Sequence, residues 1–365
     1  MQNKRNVWIT ISCLLLAGCA EPNIIEDLAV LEAGAYDLSE SNENPITTTV
    51  LFPTVTKEGK FDTMTLTANG KSVHDNFLKL QNLTSLKIVG GQGTILFGER
   101  LSKKGLIPIV KTFTRDPEIG TRVKFAIVEG DAAKFLKKKL PSVEDNAEFL
   151  YNFLEKAGKQ NNILLTNQYR FLRDYYDDGI DPVLPVFSYE GESIELKGLG
   201  IFKGDQYVTS LSLNETQILN FLIGDIKNGT FMISMKNEES GENYQLLLSS
   251  VLSDNDKKVN TKDMSLEIRL DIKGSVIEYT GTMDLSNEKH QKQLEDQVEK
   301  YVITCSEKLL TKLKNEQSDP IGIGRVVRNR LSYETWHNMN WTTTYANLNM
   351  KVKANVNLIN IGKSK

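Results

Sequence analysis

The chain has 365 residues, 40% of them apolar and 25% charged, a composition that fits two to three ordinary globular domains and excludes a disordered or collagen-like protein. Lys and Arg number 44 against 47 Asp and Glu, a formal charge of −3, so there is no global basic field to hold a nucleic-acid backbone and no nucleic-acid partner is expected. Of the 3 cysteines, Cys13 and Cys19 fall within the first twenty residues, which leaves the folded body the lone thiol of Cys305 and no disulfide framework.

At the start of the chain Lys4 and Arg5 precede an apolar run from Val7 to Leu16, and Leu16-Ala17-Gly18-Cys19 follows directly. Basic, then apolar, then small residues is the order of a secretory signal peptide, here of the lipoprotein kind, with cleavage before Cys19 and a diacylglycerol on its sulfur. Ten helical residues reach about 15 Å, half the hydrocarbon core of a bilayer, so the segment is too short to remain as a span. Loss of Lys4 and Arg5 would make the body more acidic still. No later stretch has the length of a membrane helix, so everything after Cys19 reads as a water-soluble body tethered by lipid.

Residues 20–140 contain short β-forming runs at Ile46–Phe52, Phe61–Thr67, Ser85–Val89, Thr94–Phe97 and Arg122–Val128. Asn69-Gly70, Gly90-Gly91-Gln92-Gly93 and Asp116-Pro117 separate them. Helices are predicted over Asp131–Lys139, over Ser142–Lys156, where Ser142 and Asp145 have capping-box spacing, and over Asn162–Tyr175. The loop Asp177-Asp178-Gly179-Ile180-Asp181-Pro182 follows, and the Pro, Gly and acidic residues beyond it mark 186–200 as a linker. The expected division is a signal peptide at 1–18, an N-terminal domain of one or two lobes at 19–185, the linker, and a C-terminal domain at 201–365.

In the second half Asn214 is expected to cap a helix to Lys227, and strands are predicted at Phe231–Met235, Tyr244–Leu252 and Leu266–Tyr279. A long amphipathic helix follows from about Asn287 to Lys314, with Leu294, Val298, Tyr301, Val302, Cys305, Leu309 and Leu313 at steps of three and four, and Asp319-Pro320 stops it. At the end of the chain Ala346, Leu348, Met350, Val352, Ala354, Val356 and Leu358 alternate with Asn or Lys. One dry and one wet face imply an antiparallel sheet covered on one side, and the long helix is the natural cover. The expected fold class is therefore α+β: several lobes, mixed and antiparallel sheets with helices on one face, and a C-terminal antiparallel sheet under a long helix.

Templates for chemistry fail at specific positions. Gly93 to Arg100 has phosphate-loop glycine spacing but places Glu99 where a Lys must be. Asp174, Asp177, Asp178 and Gly179 resemble a calcium loop whose twelfth position is Pro185, so the bidentate acid is missing. His74, His290 and His337 are far apart and lack partners at zinc-ligand spacing, no Gly-x-Ser-x-Gly elbow exists, and Cys305 lies on an apolar stripe. No enzyme activity, cofactor or metal is expected. One cluster remains. Asp319-Pro320-Ile321-Gly322-Ile323-Gly324-Arg325 runs into Arg328, Arg330, Tyr333, Trp336 and Trp341. It reads either as a helix-stop turn with a Trp pair in the core or as a partner-contact surface centred on Arg325, Arg328, Trp336 and Trp341.

Three motifs, in order, carry a family resemblance: Leu16-Ala17-Gly18-Cys19 with Glu26 to Val30, Gly98 to Leu106 with Thr114 to Glu118, and Asp319 to Arg325 with Trp336, Trp341 and the closing alternation. With them the chain resembles, over nearly its whole mature length, the C-subunit lipoproteins of spore germinant receptors, the Ger(x)C or GerAC-type family. Ala20 departs from the aromatic residue that commonly follows the lipid-bearing Cys. The resemblance implies a non-enzymatic α+β lipoprotein on the outer face of the inner spore membrane, anchored through Cys19. It also implies work with integral-membrane A and B subunits in nutrient sensing. A solute-binding lipoprotein of a nutrient importer would share the leader but should build parallel βαβ lobes around a cleft. A lipid-anchored hydrolase would need a nucleophile that the sequence does not show.

Overall fold

The computed structural model describes residues 28–359 apart from 56–60, 92, 116–118, 121, 139–144, 162, 192, 225, 237–240 and 242. The leader with Cys19, as well as Ser142 and Asp116-Pro117, lies outside the described residues. In chain order the elements of the first half are β1 (Leu28–Val30), β2 (Ala33–Leu38), β3 (Ile46–Val55), β4 (Phe61–Gly70), α1 (Val73–Gln81), β5 (Lys87–Val89), β6 (Thr94–Gly98), α2 (Glu99–Lys104), α3 (Ile107–Phe113), β7 (Lys124–Val128), α4 (Ala132–Lys137), α5 (Asn146–Lys159) and α6 (Gln168–Tyr176). There follow β8 (Val183–Glu190), β9 (Ser193–Lys203), β10 (Gln206–Ser212), α7 (Leu213–Ile223), β11 (Ile226–Lys236), β12 (Asn243–Asn260), β13 (Ser265–Tyr279), α8 (Glu288–Glu316), α9 (Ile323–Arg328), α10 (Tyr333–His337), α11 (Trp341–Asn347) and β14 (Asn349–Ile359).

An eight-stranded sheet, ordered β10-β9-β8-β7-β6-β2-β3-β4, organises the first two-thirds of the chain. Its centre is parallel, β2 to β6 to β7 to β8, and its wings are antiparallel. All five residues of β6 and of β7 are buried, as parallel strands covered on both faces must be. Here helices lie on both faces rather than one. Leu101, Val110, Phe113 and Phe171 of α2, α3 and α6 pack against Phe97, Phe125 and Ile127, while Phe135, Leu150 and Leu154 of α4 and α5 pack with Leu96, Ala126 and Val128 on the other side. Parallel pairing is the cause, because each crossover must leave the plane of the sheet.

The stretch 186–200, expected as a linker, is instead a β-hairpin inside this sheet, with Val186, Phe187 and Leu199 fully buried. Its glycines serve close packing. Gly198 has φ +138°, and a Cβ there would stand 2.0 Å from the Leu211 carbonyl oxygen of β10. Other boundaries shift with their caps. Helix α5 is capped by Asp145, which accepts from the Ala147 and Glu148 amides, and α6 is capped by Asn167. Helix α7 is capped by Ser212 in a full capping box with Glu215, not by Asn214, and it ends at Ile223 with Lys227 already in β11. The sequence reading passed over α1, although Ser72 accepts from the Asp75 amide in the spacing that announces a helix.

The last sheet has the order β11-β12-β13-β14. Helix α8, capped by Asn287, buries Leu294, Val298, Val302, Leu309 and Leu313, and the sheet offers it Val352, Val356 and Leu358 while Lys351, Lys353, Asn355 and Asn357 face water. The one-sided alternation therefore holds, but β14 starts at Asn349, since Ala346 belongs to α11. It also runs parallel to β13. A 29-residue helix carries the chain back along the whole sheet, so the strand after it enters in the same direction as the one before. Glu299 and Glu295 accept the outward amides of Val356 and Leu358 at 3.0 and 2.9 Å. Four residues of helix rise about 6 Å and two of strand about 6.6 Å, so these spacings match and close that edge. Cys305 is half-buried rather than buried; Ser306 holds the dry position.

Replacing Val352 by Asp should lower the unfolding free energy by several kcal/mol, because a carboxylate would enter the apolar layer under α8, whereas Cys305→Ala should cost only about 1 kcal/mol. Urea titration of both variants checks this; equal midpoints for Val352→Asp and the parent would place the face in water.

Candidate functional site

The predicted cluster lies where the two halves of the chain meet. Helix α8 ends at Gln317, whose φ of +54° turns the chain left-handed, and Ser318 to Gly324 then run buried against the end of the large sheet. Two Asp-Pro pairs face each other there. The Asp319 amide donates to the Asp181 carboxylate at 2.8 Å, and the Asp181 amide donates back to the Asp319 carbonyl at 3.0 Å. The second Asp181 oxygen accepts the Gly204 amide at 2.7 Å, and Ser318 Oγ donates to the Phe202 carbonyl. Asp319 folds its carboxylate over the start of α9, accepting from Ile323 and Gly324 at 3.0 and 2.7 Å.

Contact at this point needs glycine twice. Gly179, at φ +88°, brings its Cα within 2.5 Å of where a Gly324 Cβ would be, and that Cβ would also stand 2.6 Å from Trp341 Nε1. The Arg325 amide donates to the Gly179 carbonyl at 3.1 Å. Asp177 then collects both guanidinium groups, Arg328 at 2.7 Å and Arg325 at 3.6 Å. Trp341 packs on Trp336 with ring centroids 5.5 Å apart and on Tyr345 at 5.7 Å. Burial pushes the Asp319 carboxyl up to about 7, outweighing its amide donors, and pushes Asp181 up as well. Tyr345 is driven well above the usual phenol range by burial first and by the two carboxylates second.

All four predicted contact residues thus belong to one assembly, with inward and outward parts. Arg325 and Arg328 are held by Asp177, and the two Trp are half-buried against the core. Tyr333, 79% exposed and stacked on His337, and Arg330 complete the outward side. Sequence reasoning missed Asp177, Asp181 and Gly179 as partners of this cluster. The available signal was the repeated Asp-Pro at 181–182 and 319–320, two turns of the same chemistry that bond to each other.

Other side chains with chemical potential are engaged structurally. Of the acids of the calcium-like loop, Asp174 binds Arg170 and Arg173 and Asp177 binds Arg325 and Arg328, while Asp178 is exposed. In the glycine-spaced segment Gly98 abuts the Asp37 carboxylate, which accepts the Ala132 and Ala133 amides at the head of α4, and Glu99 pairs with Lys103. Burial pushes the Cys305 thiol up, away from a nucleophilic thiolate. His290 bonds the Asp284 carbonyl, and His337 stacks on Tyr333. Among the described residues no three His, Cys, Asp or Glu converge as metal ligands, and no helix is long and apolar enough to cross a membrane.

Because the folded pKa of Asp319 lies above its ordinary 3.8, the folded state holds a proton that the unfolded state releases. Its contribution to stability is present below the ordinary value and is lost as pH rises towards 7. Asp181 acts in the same sense, and Asp319→Asn should flatten the fall in melting temperature across that window. A slope unchanged by the substitution would contradict this assignment. Gly324→Ala should destabilise by about 2 kcal/mol or more, read from urea unfolding, since backbone and indole both block the methyl.

Two family models match, together spanning most of the chain: the spore germination protein N-terminal domain over residues 21–189 and the spore germination B3/GerAC-like C-terminal domain over 197–362. The interval between them falls in the β8–β9 hairpin and the start of β9. The chain is 25% identical to the spore germination protein GerQC of Bacillus cereus, covering 98% of this chain and 99% of that one. It is 24% identical to the putative spore germination protein YfkR of Bacillus subtilis, covering 93% and 92%. The crystal structure of the GerBC protein shares the fold, with a TM-score of 0.58 at 15% identity over 90% of this chain and 97% of that one. With both of its domain models matched in order, and with relatives aligned end to end, the chain belongs to the GerAC family of spore germination proteins.

Proposed function

We propose that this chain is a lipid-anchored, non-enzymatic subunit of a nutrient germinant receptor, held on the outer face of the inner spore membrane through a diacylglycerol on Cys19. It works there beside integral-membrane A and B subunits. The observation that carries this reading is the family match across both domains. The leader Leu16-Ala17-Gly18-Cys19 supplies the anchor. Two acyl chains give stable attachment where one gives only marginal binding, and confinement at the membrane raises the effective concentration of weak contacts.

The outward side of the α9–α11 cluster, with the exposed Arg330 and Tyr333 and the half-buried Trp336, is the proposed contact with those subunits. Aromatic and Arg side chains suit it, because they dominate binding energy at contact centres. Cys19→Ala should move the protein from the membrane to the soluble fraction of spores without changing its melting temperature; full retention after a salt wash would remove the lipid anchor. Tyr333→Ala with Arg330→Ala, both exposed, should lower recovery of the membrane subunits in co-purification about tenfold. Undiminished recovery would place the contact elsewhere.

A further inference from the structure

Residues 100–115 contain Arg100, Lys103, Lys104, Lys111 and Arg115 and no acid, in a chain whose acids outnumber its bases. The structure sets all five on one side of the molecule. Helices α2 and α3 bury Leu101, Leu106, Ile107, Val110 and Phe113 against the large sheet, beside Phe171 of α6, and so turn the five cations outward, each of them exposed. Helix α6 continues the same layer. Lys111 Nζ lies 5.6 Å from the ring centroid of Tyr176, which ties α3 to α6. Tyr176 is 59% and Tyr169 63% exposed on that layer.

Several carboxylates close to this layer are already engaged, while Asp178 stands exposed in the turn after α6. Glu99 pairs with Lys103 at 2.6 Å, Asp205 accepts the Ile107 amide at 3.0 Å, Asp174 binds Arg173 and Arg170, and Asp177 binds Arg328 and Arg325. Arg100, Lys104, Lys111 and Arg115 have no carboxylate partner among the described residues. Four cations without a described carboxylate partner, three on α2 and α3 and Arg115 in the turn after α3, form one cationic surface with exposed tyrosines beside them. A flat polyanion bordered by an apolar layer fits it: lysine and arginine meet headgroup charge while tyrosine settles at headgroup level. The acid excess elsewhere on the molecule would be repelled by the same surface, which fixes orientation as well as contact.

We propose that the outer face of α2, α3 and α6 docks on an anionic bilayer surface through Arg100, Lys104, Lys111 and Arg115, with Tyr176 at the headgroups. This goes beyond the receptor reading and stands without the lipid anchor, because the cations, and not the N-terminal end, carry the dependence on lipid charge.

The test is sedimentation of the full chain with vesicles of phosphatidylcholine alone and of phosphatidylcholine mixed with phosphatidylglycerol, at low and high salt. The protein is in the same processed form throughout, so its N-terminal end contributes equally to both vesicle types. Binding to the mixed vesicles should exceed binding to phosphatidylcholine about tenfold or more and should weaken with salt. Replacing Arg100, Lys104, Lys111 and Arg115 together by Gln should abolish that excess. Replacing the exposed Lys227, Lys236, Lys289 and Lys351 by Gln, the same change in net charge elsewhere, should preserve it. If the first quadruple variant fails to fold, Lys111→Gln and Arg115→Gln alone should each reduce the excess about fivefold. Equal binding to the two vesicle types, or equal losses in the two quadruple variants, overturns the proposal. So does release from mixed vesicles by a DNA duplex or polyglutamate at matched charge, which would point to a polymer ligand instead.

Discussion

The paired Asp181 and Asp319 are the constraint on which the rest of the arrangement depends. Each donates its backbone amide to the other, and each spends its carboxylate on amides that no regular element satisfies. Burying two acids a few residues from a helix end is costly, and their raised pKa values express that cost. The gain is that a single knot satisfies the end of the β8–β10 meander, the exit from α8 and the start of α9. A hydrogen bond to a charged acceptor contributes about 1.5–3 kcal/mol, and a buried donor left without one costs a similar amount, so removing either Asp would release several donors at once. Gly179 and Gly324 follow from the same constraint, since the two loops can bond only at backbone distance.

Edge protection is shared across the junction in a related way. The outer edge of β14 is closed from within by Glu295, Glu299 and, through the Leu348 carbonyl, Lys314. At the opposite edge of that sheet Asn161, at the end of α5, donates to the Lys227 carbonyl of β11, and Gln217 of α7 donates to Thr230. Asn161 itself, at φ +57°, accepts from Asn220 of α7. The N-terminal half therefore helps to cap the C-terminal sheet, and separating the halves would expose strand edge as well as apolar surface.

Local signals made much of this legible in the sequence. The closing alternation and the three-and-four stripe of α8 each report a single dry face, and the prediction that they pack together needed no knowledge of the chain between them. Strand direction was not available locally. It depends on where the previous element ends, and the same alternation serves a parallel or an antiparallel neighbour. The stretch 186–200 misled for a similar reason: glycine that permits close approach between strands and glycine that loosens a linker look alike until the neighbouring strand, here β10 at Leu211, is known. For the candidate site the sequence marked the Arg and Trp residues but not the acids that hold them. Asp177 and Asp181 lie more than a hundred residues upstream, and only the fold brings them to Arg328 and Asp319.

These placements also bear on how such a chain could act. Side chains of the kind that do chemistry are largely held by neighbours: Asp174, Asp177 and Asp181 hold Arg residues and amides, and burial pushes the Cys305 thiol up. The two halves meet through backbone hydrogen bonds, a glycine-to-glycine contact and the ion pairs of Asp177 with Arg325 and Arg328. A hinge would have to break several of these together, each buried or partly buried. The economical way for such a body to influence a partner is to be positioned as a unit and to present a surface, with specificity residing in which face meets the membrane and which meets protein. On the receptor reading those roles divide between the cationic layer of α2, α3 and α6 and the aromatic side of α9 to α11. These surfaces are joined through Asp177, which follows α6 and holds Arg325 and Arg328 of α9.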